Sequence, residues 1–247
     1  MSKVAVFVST KDRPQALRRS LPQIAGAAKE VDAPVLVIDD ASCGLITMEN
    51  QKICLEADVL YTRLPSNRGL AAVLNIGLEY YLADTDIQWI SYFQDDVDVD
   101  PLALKVLLDV CDRIYPFATG FDAPEHPCSH ERKLAGCSVK IKNSTRATHM
   151  HAHRDYWRSV MPIPTRELGA PKRIAGQARG IGSNVDWWIV TNAPASVART
   201  REGAVVVPGL VSTFYWKAED SNWGADAPEP AAPIHRGSIE GWLKNHG

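Results

Sequence analysis

Carboxylate side chains come directly after two runs of apolar residues. Asp39 and Asp40 follow the run VLVI, and Gln94, Asp95 and Asp96 follow the run IQWISYF. Continuous apolar runs are typical of strands buried on both faces of a parallel sheet, and the carboxyl ends of such strands meet at one edge. Hard divalent cations prefer carboxylate oxygens as ligands. The sequence therefore predicts a Mg²⁺ or Mn²⁺ site at this edge.

Three histidines alternate along a predicted strand in the second half of the chain. His149, His151 and His153 occupy every other position, so their imidazoles point to one face. Three imidazoles could chelate zinc, but ligands two residues apart on one strand rarely converge on a tetrahedral ion. Zinc binding is therefore the less favoured interpretation.

Strands alternate with helices along the first half of the chain. The hydrophobic pattern predicts strands at 4–9, 35–38, 59–62 and 87–93, and helices at 14–28, 69–82 and 102–114. Pro22 is expected to kink or interrupt the first helix. This order predicts an α/β fold with a mainly parallel central sheet and helices on both faces.

The alternation fades after Pro116, where proline and glycine become more frequent. Short strands are expected at 139–141, 148–152 and 204–207, helices at 155–160 and 239–243, and a helix or strand at 186–190. A long polar loop is expected at 162–182, and a proline-rich linker at 226–233.

Composition indicates an ordinary soluble protein. The chain has 247 residues, of which 45% are hydrophobic and 23% charged. It contains no apolar run long enough to span a membrane and no signal-peptide pattern at its start. Five cysteines without close pairing favour a reducing compartment. Together these features predict a soluble, cytoplasmic protein.

Positive charge is concentrated in one segment. Residues 130–179 contain eleven Lys or Arg and three acidic residues, although the whole chain carries a net charge of −2. Such asymmetry favours a polyanionic partner, and a solvated surface with chance clustering is the alternative.

Four segments resemble family 2 glycosyltransferases of the GT-A fold. They are VAVFVSTKDRP, VLVIDDAS, NRGLAAVLNIG and YFQDDVDVDP, in this order across roughly the first 115 residues. The resemblance implies a single GT-A domain over 1–225, with a Rossmann-like nucleotide-sugar half at 1–115 and an acceptor half at 116–225. Residues 226–247 would be the linker and a short C-terminal segment.

The resemblance also implies roles for residues of the first half. Thr10 and Arg13 would lie beside the nucleotide, and Asp39 would accept a hydrogen bond from the base, usually uracil. Asn67 and Gly69 match a turn that lets the chain approach the nucleotide-sugar closely.

Residues 94–96 match the family's DxD signature. Asp96 would be the metal ligand, and Asp95 would lie beside the donor. The chain departs from the pattern at Gln94, which replaces the usual first aspartate. Its amide can still hydrogen-bond a ribose hydroxyl but contributes no charge.

The family also implies roles in the acceptor half. Asp186, roughly 90 residues after the metal motif, would be the general base, although it could simply cap a helix beside core tryptophans. The residues expected to line the acceptor site are His149, His151, Lys172, Arg173, Arg179 and Trp187.

The sequence therefore predicts an inverting glycosyltransferase that moves a sugar from a UDP-sugar to a hydroxyl of a polyanionic acceptor, with Mn²⁺ or Mg²⁺ as cofactor. Hydroxymethylated bases in DNA are one candidate acceptor, and a glycan or a small molecule is the alternative. Two further candidate functions are a nucleotidyltransferase and a non-catalytic nucleic-acid-binding module. A nucleotidyltransferase would need a glycine- and lysine-rich loop after the first strand, and Ser9 to Arg13 lack its glycines.

Overall fold

A ten-stranded sheet forms the centre of the computed structural model. The residues described are 3–111, 116–124, 126–142, 144–165, 185–194, 204–214 and 233–246. Among these residues the strands lie in the order β3-β2-β1-β4-β9-β6-β10-β8-β7, with β5 paired to β10. None of the described helices has the length and apolar character needed to cross a membrane.

The first half of the sheet is parallel, as the sequence predicts. Strands β1 to β4 pair in parallel and alternate with three helices. Their bounds are β1 Lys3–Thr10, α1 Pro14–Lys29, β2 Val35–Asp39, α2 Gly44–Glu56, β3 Leu60–Arg63, α3 Leu70–Leu82 and β4 Ile87–Gln94.

Both faces of this half are covered by helices. Along β1, Val6 and its same-face neighbours join a core that includes α1, while Phe7 faces a second core that includes α3. Gly77 allows α3 to approach β1 closely, because a Cβ there would lie 2.5 Å from the Phe7 ring. Burial on both faces explains the unbroken apolar runs.

Two details of these helices differ from the sequence prediction. Helix α1 runs through Pro22 without interruption. Helix α2 is not predicted, because its apolar residues do not form one stripe: Leu45 and Leu55 are exposed, whereas Ile53 and Cys54 are buried.

The second half of the sheet is mixed. Strand β9 runs antiparallel to both β4 and β6, whereas β10 is parallel to β6 and antiparallel to β5 and β8. The bounds are β5 Val97–Val99, α4 Ala103–Val110, β6 Phe117–Phe121, β7 Cys128–Leu134, β8 Cys137–Lys142, β9 His149–His153, α5 Arg154–Val160, α6 Val185–Thr191 and β10 Ala204–Thr213. The sequence prediction misses the strand β6 and most of the β7–β8 hairpin.

The last described segment packs against the sheet. A 3₁₀ turn at Gly237–Ile239 leads into α7, Glu240–His246, and Trp242 is buried in the same core as α1 and α4. Its indole donates a hydrogen bond of 2.7 Å to Asp109. Arg236 forms an ion pair of 2.8 Å with the buried Asp100. The expected boundary between 225 and 226 lies outside the described residues.

Candidate active site

The polar strand ends of the first half meet at one edge of the sheet. Strand register places Thr10 opposite Asp39 and Ser9 opposite Gln94. Asp95 and Asp96 follow immediately after β4. The structure therefore brings together the polar residues that follow the apolar runs.

The acidic motif is held by residues from β1 and α1. The Thr10 hydroxyl donates to Asp95 Oδ2 at 2.6 Å, and the Ser20 hydroxyl donates to the Asp95 carbonyl at 2.8 Å. Arg13 reaches both carboxylates, with Nη2 2.5 Å from Asp95 Oδ1 and Nη1 2.8 Å from Asp96 Oδ2. These contacts join residues far apart in the chain, and the sequence prediction does not contain them.

Burial and charge oppose each other in this cluster. The pKa of Asp95 lies well above its ordinary value. Burial is the largest cause, because water no longer solvates the carboxylate; Arg13 lowers this pKa and Asp96 raises it further. Burial lowers the pKa of Arg13, but attraction to the two aspartates outweighs it, so the net shift is upward. The guanidinium is the cation that keeps two adjacent carboxylates together.

One oxygen of this cluster is suited to a metal ion. Asp96 Oδ1 is buried and has no hydrogen-bond partner among the described residues. A carboxylate oxygen of this kind fits Mg²⁺ or Mn²⁺, which accept oxygen ligands from protein, phosphate and water. Within the described residues no group of three or more His, Cys, Asp or Glu could hold a metal ion. An ion on Asp96 would therefore take ligands from phosphate or water as well.

Asp39 is enclosed within the protein. Its oxygens accept hydrogen bonds from the Ser42 backbone N–H at 2.7 Å, the Asn50 amide at 3.0 Å and the Tyr61 hydroxyl at 2.8 Å. The residue is 0% exposed. A base could bind Asp39 only by displacing these donors, so base recognition by Asp39 stays a prediction.

Asp40 organises the turn that the sequence assigns to Asn67 and Gly69. Its two oxygens accept from the backbone N–H groups of Arg68 at 2.7 Å and Gly69 at 2.8 Å. The Asn67 side chain also accepts from the Gly69 N–H, at 3.3 Å. Gly69 has φ 77°, a left-handed conformation that favours glycine. The pair Asp39–Asp40 is visible in the sequence, but the sequence does not show that Asp40 is the member that contacts this turn.

The loop after β1 and the loop after β2 are joined by hydrogen bonds, and each contains a residue in a strained conformation. Asp12 and Ala41 both have positive φ, at 55° and 65°. The Asp12 N–H donates to Ser42 Oγ at 2.8 Å, and the Cys43 N–H donates to Asp12 Oδ1 at 2.9 Å. Left-handed non-glycine residues concentrate at functional sites, where the surroundings hold them in place.

Two of the three histidines of β9 lie in the interior, and the third, His153, is partly exposed. His149 and His151 are 0% exposed, and the His151 ring stacks on Trp89 at 5.2 Å. Burial lowers the pKa of His151 to about 3, so the ring is neutral at pH 7. The alternation predicted that the rings share one face, but that face packs inside the protein. These two residues therefore do not form the acceptor surface that the sequence analysis expects.

Asp186 lies in the first turn of α6, on a helix anchored to the core. Val185 and Ile189 are buried, and the Tyr156 hydroxyl donates to the Ile189 carbonyl at 2.9 Å. Trp187 belongs to the same helix. Of the other predicted acceptor residues, Lys172, Arg173 and Arg179 lie outside the described residues.

One family model matches more than half of this chain. The family model described as glycosyl transferase family 2 matches residues 5–157. A comparison with curated proteins finds no significant match.

Solved glycosyltransferases share the fold at low sequence identity. Mannosyltransferase PcManGT from Pyrobaculum calidifontis, in complex with GDP-Man and Mn²⁺, has a TM-score of 0.57 and 14% identity over 84% of this chain and 55% of its own. GalNAc-T7 with UDP, GalNAc and Mn²⁺ has a TM-score of 0.55 and 12% identity, over 87% and 44%. Glucosyl-3-phosphoglycerate synthase from Mycobacterium tuberculosis, with Mn²⁺ and UDP, has a TM-score of 0.53 and 9% identity, over 88% and 74%. The chain thus spans about half the length of the first two.

Proposed function

Because the chain belongs to glycosyl transferase family 2, we propose that it moves a sugar from a UDP-linked donor to an acceptor hydroxyl, with inversion at the anomeric carbon. The observation that carries this proposal is the Arg13–Asp95–Asp96 cluster, with one open carboxylate oxygen, at the carboxyl edge of the parallel strands. Ligands of open α/β sheets bind at this edge. Solved structures of the same fold contain UDP or GDP-Man together with Mn²⁺.

Asp96 would hold the divalent cation through Oδ1. An ion bound there would supply positive charge that stabilises the departing diphosphate. Arg13 orients the Asp96 carboxylate through Oδ2, and the Thr10 hydroxyl holds the neighbouring Asp95 by a hydrogen bond. The turn fixed by Asp40, with Gly69 lacking a side chain, lets backbone approach the donor.

Asp186 is proposed as the base that takes the proton from the acceptor hydroxyl. A carboxylate at the start of α6 can accept this proton while the oxygen attacks the anomeric carbon from the face opposite the diphosphate. Anchoring of α6 through Ile189 keeps such a base at a fixed position. A single displacement of this kind inverts the anomeric configuration.

A polyanion is proposed as the acceptor, and DNA with hydroxymethylated bases is the case to test first. The basic excess of residues 130–179 supports it. Part of that excess serves the fold: Lys140 and Lys142 pair with Asp122, and Arg154 donates to the Ile87 carbonyl and its neighbours. This internal use favours a glycan or small-molecule acceptor as the second candidate.

A donor and acceptor screen tests the proposal. UDP-sugars are incubated with the protein and Mn²⁺, with or without hydroxymethylated duplex DNA and simple glycans, and products are identified by mass spectrometry. We expect UDP release that requires Mn²⁺. We also expect the mass of one of the tested acceptors to increase by the mass of the transferred sugar residue. A binding module would release no UDP, and a nucleotidyltransferase would release pyrophosphate from a nucleoside triphosphate.

Replacing Lys172, Arg173 and Arg179 together by Gln tests the acceptor class. If the acceptor is DNA, the triple variant should bind duplex DNA more weakly and with a flatter salt dependence, by up to about three phosphate contacts. UDP affinity, measured by calorimetry, should stay unchanged. Salt-independent binding by the wild type would remove DNA from consideration.

A further inference from the structure

We propose that Arg13 makes binding of the divalent cation depend on the nucleotide. Its guanidinium contacts one oxygen of Asp96 and leaves the other for the metal. The guanidinium also prevents tight metal binding until a nucleoside diphosphate binds. This inference rests on the proposed function, since it takes Asp96 as the metal ligand.

The contacts divide the available oxygens unequally. Arg13 lies against Asp95 Oδ1 at 2.5 Å and Asp96 Oδ2 at 2.8 Å, and Thr10 donates to Asp95 Oδ2. Asp96 Oδ1 is left buried without a hydrogen-bond partner among the described residues. A metal ion and the guanidinium can therefore share Asp96, one on each oxygen.

Charge then determines when the ion binds. The Arg13 guanidinium places a positive charge against the same carboxylate that would hold the metal, so a divalent ion on Asp96 Oδ1 would be repelled by it. A nucleoside diphosphate adds negative charge and oxygen ligands to the same place, which offsets the repulsion. The ion is therefore expected to bind tightly only together with the nucleotide.

Contacts other than the Arg13 pairing also hold helix α1 against the sheet. Helix α1 is held against the sheet by buried Leu17, Leu21 and Ile24, and by the Ser20 hydrogen bond to the Asp95 carbonyl. Arg19, which lies on α1 itself, forms a separate pair with Asp98 at 2.5 Å. Loss of the Arg13 side chain should therefore leave α1 in place, and Arg19 offers a matched control.

The test is a titration with Mn²⁺, with bound and free ion measured by electron paramagnetic resonance, in the presence and absence of UDP. The wild type should bind Mn²⁺ at least about tenfold more tightly with UDP than without it. Arg13→Gln should tighten binding of Mn²⁺ alone at least about tenfold and shrink the effect of UDP. Arg13→Lys, which retains the charge, and Arg19→Gln should both behave more like the wild type.

Two results would overturn the inference. One is an Arg13→Gln variant that binds Mn²⁺ alone with unchanged or lower affinity. The second result is obtained with the wild type alone, and it is an Mn²⁺ affinity that is the same with and without UDP. If UDP-sugar is still turned over in the donor assay, only the inference about Arg13 fails; if UDP does not bind at all, the proposed function fails with it.

Discussion

Replacing Asp39 by Asn distinguishes a structural role of this carboxylate from base recognition. Asp39 accepts three hydrogen bonds, from Ser42, Asn50 and Tyr61, and an asparagine offers one acceptor oxygen where the carboxylate offers two. Either side-chain orientation therefore turns an N–H₂ group toward at least one donor. Hydrogen bonds to a charged acceptor contribute about 1.5–3 kcal/mol each, so losing one should lower the free energy of unfolding by about 1.5–3 kcal/mol and losing two by about 3–6 kcal/mol.

Urea denaturation followed by circular dichroism measures this change. Asp98→Asn is the matched control, because it makes the same chemical change at a pair with the largely exposed Arg19 and should cost less than about 1 kcal/mol. An Asp39→Asn protein within about 0.5 kcal/mol of the wild type would refute the structural role. If its stability is unchanged while its UDP affinity falls, the carboxylate contacts the base instead.

Three further perturbations address the site and the sheet. Asp186→Asn should lower kcat roughly 10²–10⁴-fold in steady-state kinetics while UDP binding persists, and an unchanged kcat would exclude Asp186 as the base. Asp96→Ala should abolish Mn²⁺-dependent UDP release, and EDTA should do the same to the wild type; full activity in EDTA would contradict the metal role. Since burial lowers the pKa of His151 to about 3 from an ordinary 6.5, its neutral form stabilises the fold fully above pH 6.5, and this stability is lost as the pH falls toward 3. Urea midpoints between about pH 4 and pH 8 should show this decline, and His151→Phe should make it shallower; an identical decline in the variant would contradict the assignment.

The parallel half of the fold could be predicted because its signal is local. Strands β1, β2 and β4 are buried on both faces and carry apolar runs, and the polar residues directly after these runs are placed by strand direction alone. The confirmed sheet follows from this pattern. Helix α2 lacked such a signal, since exposed Leu45 and Leu55 obscure its buried side.

The details of the site depend on contacts that no local pattern contains. The alternation predicts that His149 and His151 lie on one face of the strand, but it does not predict whether other elements cover that face. The pair Asp39–Asp40 marks the end of the strand in the sequence. Asp39 is the carboxylate that points inward because Asn50 and Tyr61, from other elements, donate hydrogen bonds to it. The contact of Arg13 with Asp96 likewise joins the residue before α1 to a residue that follows β4, 83 positions later in the chain.

The charged strand β7 also affects whether a second molecule could add a strand to the edge of this sheet. In the described sheet β7 is an outer strand, and its exposed side chains include Glu131, Arg132 and Lys133. An outer strand presents unpaired backbone groups to which a strand of a second molecule could add, and charged side chains oppose that addition. The charged residues of β7 thus oppose strand addition at this edge of the described sheet, an effect that does not depend on the acceptor.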